Sequence, residues 1–145
     1  MSMTTDVFVR FSGTKRELRA ILSDQFQIRV GGKLVWFLGY IELNLTSRAE
    51  APDYFSGGQF RPYNFALGGT IYPGSNGLGE AGPAHGLIME VIAQVIAARL
   101  KTRTMCYCQE DASCRRYRFA GGAQRKKGIE VIDERTGRAP RYLFR

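Results

Sequence analysis

The sequence predicts one α+β domain spanning residues 1–145, with a mostly antiparallel sheet in the order β-α-β-β-α-β-β-β and two helices packed on one sheet face. Three observations predict it. Apolar residues alternate with polar ones near the start, in the middle and repeatedly in the last third. Two other segments carry apolar residues at helical spacing. Local hairpins join the last strands, which makes that end of the sheet antiparallel.

Val7, Val9 and Phe11 alternate with Phe8 and Arg10, a first strand that ends at Ser12-Gly13. Thr14 and Glu17 have the spacing of a capping box. Leu18, Ile21, Leu22 and Phe26 then draw one apolar stripe down a helix of about three turns. Gly31-Gly32 turns the chain into an extended run from Lys33 to Thr46. Its first half, Leu34 to Leu38, is apolar without a break and so covered on both faces or met by a partner. Ser47 to Gly82 is rich in Gly, Pro and aromatic residues; it holds one strand between Tyr63 and Tyr72, where Gly68-Gly69 suggests a bulge or sharp bend, and then a loop from Pro73. A second helix starts near Pro83 and runs to about Leu100. Leu87, Ile88, Val91, Ile92, Val95, Ile96 and Leu100 cover most of its circumference and leave Glu90, Gln94 and Lys101 as a narrow polar strip. Three short strands follow, Arg103 to Gln109, Arg115 to Ala120 and Gly128 to Asp133.

Length and composition narrow the function. A chain of 145 residues, 44% hydrophobic and 23% charged, buries a core without needing a metal or disulfide. Its most apolar helix is broken by Glu90 and Gln94 and falls short of the roughly 20 residues that span a bilayer, so no membrane partner is expected. The first residues lack a secretory pattern, and Cys106, Cys108 and Cys114 are an odd set of thiols. Both facts point to a cytoplasmic protein with reduced cysteines. The Cys-x-Cys-x5-Cys spacing with His85 far off in sequence does not make a four-ligand zinc site, so no metal is assigned. Gly74 to Gly79 is Gly-rich, but no Gly-Lys-Ser/Thr follows, and no nucleotide or other cofactor is assigned.

No catalytic residues are assigned either. The sole histidine stands at the start of a helix without a nucleophile elbow, and Glu110-Asp111 reads as a turn pair. An enzyme using Glu110 or Asp111 is the third-ranked function. Charge is uneven: residues 101–145 hold twelve Lys and Arg against five Asp and Glu, about +7 of the formal +8.

Val7 to Leu18, a long strand, the helix segment Ile88 to Ala97, and a strand ending in the acidic turn Gln109-Glu110-Asp111 together give a layout. It resembles that of small cytosolic immunity proteins of interbacterial toxin systems. The resemblance implies a binding protein that neutralises a cognate toxin by direct contact. The chain's basic charge favours a toxin with an acidic or neutral surface. Aromatic and arginine residues dominate contact surfaces, which singles out Asp53, Tyr54, Phe55, Phe60 and Tyr63 in the irregular segment, and Arg115, Arg116 and Arg118 on the outward side of a strand. The rival reading is a nucleic-acid-binding module built on Arg115 to Phe119 and Gln124 to Lys127. Tyr117 and Phe119 should then face one side of the sheet and Arg116 and Arg118 the other. Without its partner the protein is expected to be a monomer or weak homodimer, with Leu34, Trp36, Leu38 and Tyr40 the patch for self-association.

Overall fold

The structure is a computed structural model that describes residues 5–22, 27–28, 34–35, 41–71, 82–121 and 130–140. Eight strands form one antiparallel sheet: β1 (Thr5–Val9), β2 (Gln27–Ile28), β3 (Leu34–Val35), β4 (Ile41–Ser47), β5 (Phe65–Ile71), β6 (Arg103–Cys108), β7 (Ser113–Phe119) and β8 (Val131–Asp133), in the spatial order β2-β3-β4-β5-β1-β6-β7-β8. The helices are α1 (Lys15–Leu22) and α2 (Gly82–Leu100). Setting aside the two-residue strands β2 and β3, the element order is the β-α-β-β-α-β-β-β read from the sequence.

Strand β1 lies in the middle of the sheet, with Val7 opposite Leu67 of β5 on one side and Cys106 of β6 on the other. All five of its residues are buried, because both sheet faces are covered. Val7, Val9, Leu45, Leu67, Cys106, Tyr117 and Val131 meet Leu18 and Leu22 of α1 and Met89, Ile92 and Ile96 of α2 in one core. Both helices therefore lie on one face, as expected. On the other face Phe8, Ala66 and Met105 meet Phe55, Phe60 and Tyr63 from the segment between β4 and β5.

The α1 capping box forms as its spacing requires. The Glu17 amide donates to Thr14 Oγ1 at 3.1 Å, and the Thr14 amide donates back to Glu17 Oε1 at 3.0 Å. These bonds hold the Glu17 carboxyl below its ordinary value. Phe26 lies outside the described residues.

Four expectations change. The single strand from Lys33 to Thr46 is two strands, with Leu34 opposite Leu43 and Val35 opposite Glu42 in an antiparallel pair. Gly68 and Gly69 sit in a regular β4–β5 ladder whose register runs unbroken from Ile41↔Ile71 to Ser47↔Phe65, so there is no bulge. The polar strip of α2 is not one solvent-facing stripe: Gln94 is fully buried and Glu90 reaches β7, Lys101 is exposed just past the helix end, and Leu87 is 51% exposed. A helix apolar nearly all round gives its periodicity no preferred face, so side-chain partners on the sheet set its rotation. Last, the irregular segment is ordered into two 3-10 turns, Pro52–Phe55 and Gly58–Phe60. Among the described residues no helix is long and apolar enough to cross a membrane. Trp36, Leu38 and Tyr40, the 74–79 loop, residues 122–129 and residues 141–145 lie outside the described residues, as do the side chains of Leu34 and His85.

Candidate functional site

The layer opposite the helices is held by one arginine. After β4 the chain turns at Ser47, whose amide donates to Glu50 Oε1 at 2.9 Å while the Glu50 amide donates to Ser47 Oγ at 3.2 Å. Pro52 opens the first 3-10 turn with its fixed φ. Gly57, at φ 112°, allows the reversal into the second. Arg48 then gathers the carbonyls of Phe60 (2.7 Å), Arg61 (3.2 Å) and Tyr63, and its guanidinium stacks 5.0 Å from the Phe55 ring centre. Thus tied, Phe55, Phe60 and Tyr63 drop onto Phe8. The Phe8–Phe60 and Phe8–Phe55 centroids are 4.6 and 5.4 Å apart, the latter edge-on.

At one end of this layer a cleft of about 330 Å³ opens between Asp6, Phe8, Asp53, Tyr54, Ser56, Phe60, Tyr107 and Gln109. Asp6 is only 3% exposed. Its Oδ2 accepts a bond from the Tyr54 hydroxyl and another from Gln109 Nε2 at 2.8 Å. Both donors are neutral, and among the described residues no cation pairs with Asp6. Burial, and then the bond to Asp6, push the Tyr54 phenol well above its ordinary value, so its hydroxyl is a fixed donor. Gly68 stands directly opposite Asp6 on β5, and a Cβ there would lie 3.4 Å from Asp6 Oδ1.

The same sheet face carries the opposite charge at its other end. The Arg10 amide donates to the Arg103 carbonyl at 3.2 Å, extending the β1–β6 ladder, and Arg103 is paired with Arg118. Strand alternation thus sets Arg10, Arg103 and Arg118 side by side, on the face that Phe8 and Met105 occupy. Four residues of extended strand separate Asp6 from Arg10, about 13 Å. Glu134 reaches Arg103 Nη2 at 3.9 Å.

The structure divides the residues singled out from the sequence. Asp53 and Tyr54 are exposed and line the cleft, and Phe60, though 7% exposed, forms part of its wall. Phe55 and Tyr63 are core residues, each 2% exposed. Burial raises the Tyr63 phenol, and Arg116 beside it pulls the other way. Arg116 and Arg118 share the cleft's sheet face, half-buried. Arg115 does not: it lies on the helix face, with Nη1 2.8 Å from both carboxylate oxygens of Glu90, whose Oε1 also accepts from Tyr117 at 2.8 Å. Arg115 is exposed as expected, but it does not share a face with Arg116 and Arg118, because adjacent strand residues alternate faces. Asp111 of the acidic pair shapes the β6–β7 hairpin, accepting from the Ser113 amide at 3.0 Å, and that serine holds its carboxyl below the ordinary range. Cys106 and Cys108 share the strand face that α2 covers, and Cys114 packs on the opposite face beside Tyr107.

Sequence reasoning missed Asp6, Phe8, Tyr107 and Gln109. One signal was present: Asp6 is a carboxylate that immediately precedes the apolar run Val7 to Val9 of its strand. Comparison with protein-family models, with curated proteins and with solved structures finds no match to this chain.

Proposed function

We propose that the chain is a binding protein that neutralises a cognate toxin by direct protein–protein contact, in the manner of the immunity proteins its layout resembles, and that it does so with the sheet face opposite the helices. One observation carries the reading. That face presents an aromatic-walled cleft over a buried carboxylate at one end and an arginine row at the other, on a scaffold tied down by Arg48. Rings and arginines in fixed positions are what interface hot spots are made of. A face of two signs selects a partner of complementary pattern and orients it during approach. The arginine row suits an acidic or neutral partner surface, as the overall charge of +8 does.

The test is capture of partners by the tagged protein from its own cells, with nuclease added, at about 0.3 M salt, where exposed charges are screened beyond several ångström. A stoichiometric protein that is toxic when expressed alone and harmless with this chain is the expected result. Recovery of no such protein overturns the reading.

The arginine row also favours a second reading, nucleic-acid binding. Three like charges abreast across adjacent strands repel one another, and a polyanion would relieve that. In that case affinity for single-stranded nucleic acid falls roughly a thousandfold between about 50 and 200 mM salt if six or more phosphates are contacted. A packed protein interface changes far less.

A further inference from the structure

Within that reading of a protein partner, we infer that the Asp6 cleft is the receptor for one arginine side chain of the partner. Four features of the cleft select a guanidinium. Its floor is a carboxylate that is 3% exposed, with Oδ2 held by Tyr54 and Gln109 and with Oδ1 accepting no hydrogen bond among the described residues. Burying a carboxylate against neutral donors alone is costly, and a cation supplied from outside removes that cost. Gly68 adds no side chain beside Oδ1, the oxygen that remains to bond. The walls are the rings of Phe8, Tyr54, Phe60 and Tyr107, in mutual contact at centroid distances from 4.6 to 6.5 Å. Their faces attract a flat cation, and arginine stacks on rings while its fork donates to a carboxylate.

Charge agrees. In a chain of net +8, the described residues that line the cleft include two aspartates and no lysine or arginine. Gln109 donates its amide nitrogen to Asp6, and its side-chain carbonyl oxygen accepts no hydrogen bond among the described residues. At about 330 Å³ the cleft is at the small end of ligand sites. The partner then offers an arginine on an otherwise acidic or neutral surface, matching both ends of the face.

The experiment is an NMR titration of the full chain with N-acetyl-arginine methylamide, and in parallel with its citrulline counterpart, which has the same shape but no charge. Signals of the Gln109 side-chain amide and of the Tyr54 and Tyr107 rings are expected to shift and saturate with arginine in the millimolar range. Citrulline should bind about tenfold or more weakly, having lost the charge-assisted bond. The Asp6→Asn chain should lose the arginine response. Equal responses to both compounds, or none to arginine, overturn the inference on the unmodified protein even where Asp6→Asn fails to fold. Partner capture separates the two ideas. A toxin bound equally well by wild type and Asp6→Asn overturns the arginine receptor and leaves the immunity reading standing. Arginine binding with no protein captured overturns the immunity reading and assigns the cleft to a free guanidinium compound.

Discussion

Tyr54 packs its ring 5.5 Å from Phe8 and donates its hydroxyl to a carboxylate that is 3% exposed, so Tyr54→Phe isolates the bond. It leaves Asp6 with one donor fewer, and stability should fall by about 1–3 kcal/mol in urea denaturation. The thiols can be ranked in the same way. Burial, reinforced by Glu90, pushes Cys106 well above the ordinary thiol range, whereas Cys114 is half-buried. In a thiol-titration assay of the native protein Cys114 should react first and Cys106 only on unfolding. Glu50 sets a pH window. Its bond from the Ser47 backbone, then its bond from Lys15, lower its carboxyl from 4.5 to about 2. A depressed carboxylate contributes stability that is complete above its unfolded value and is lost as pH falls through the folded one. Glu50→Gln should therefore lower stability near neutrality, flatten the stability profile between 4.5 and about 2, and match the unmodified protein below that range, measured by denaturant midpoints. At this scale the sequence told which residue types matter but not their faces: Asp53, Tyr54, Phe55 and Tyr63 were singled out alike as contact residues, yet the first two are exposed and the last two are core.

Elements were more legible than residues, because their signals are local. The Thr14–Glu17 box and the stripe Leu18–Leu22 define α1 within nine residues, and both are realised. Thr14→Ala should cost about 1 kcal/mol, read from the shift in thermal or urea midpoint, through the lost cap. The hairpins β6–β7 and β7–β8 were likewise visible as alternation broken by turns. Two elements were misread for physical reasons. The segment from Arg48 to Asn64 has no periodicity because its order comes from a single guanidinium and three carbonyls, not from a repeating ladder. Helix α2 was read with Glu90, Gln94 and Lys101 as one polar strip, but Glu90 is drawn to Arg115 and Tyr117 on β7 and Gln94 is buried. The cleft was illegible for a third reason: Asp6, Tyr54 and Gln109 come from three distant parts of the chain, and only sheet pairing brings them together.

Across the whole molecule the two sheet faces divide the work. One is a conventional apolar core under two helices, and the other is an aromatic layer around Phe8 that doubles as the wall of the cleft. Phe8→Ala should cost about 3–5 kcal/mol and, because Phe8 touches Tyr54, Phe60 and Tyr107, open the cleft to water. A stability loss confined to below about 1 kcal/mol in chemical denaturation would show that the aromatic layer is not part of the cooperative unit. The central position of β1 has a kinetic consequence. It is synthesised before every other strand, yet Val7 finds its two neighbours only when Leu67 and then Cys106 have been made. Such distant pairings put the chain among slow, high-contact-order folders, on a scale of milliseconds to seconds. Until β6 emerges from the ribosome, one edge of this largely apolar strand, with a carboxylate near its start, has no partner. The Asp6 charge thus discourages the waiting edge from pairing with the wrong strand.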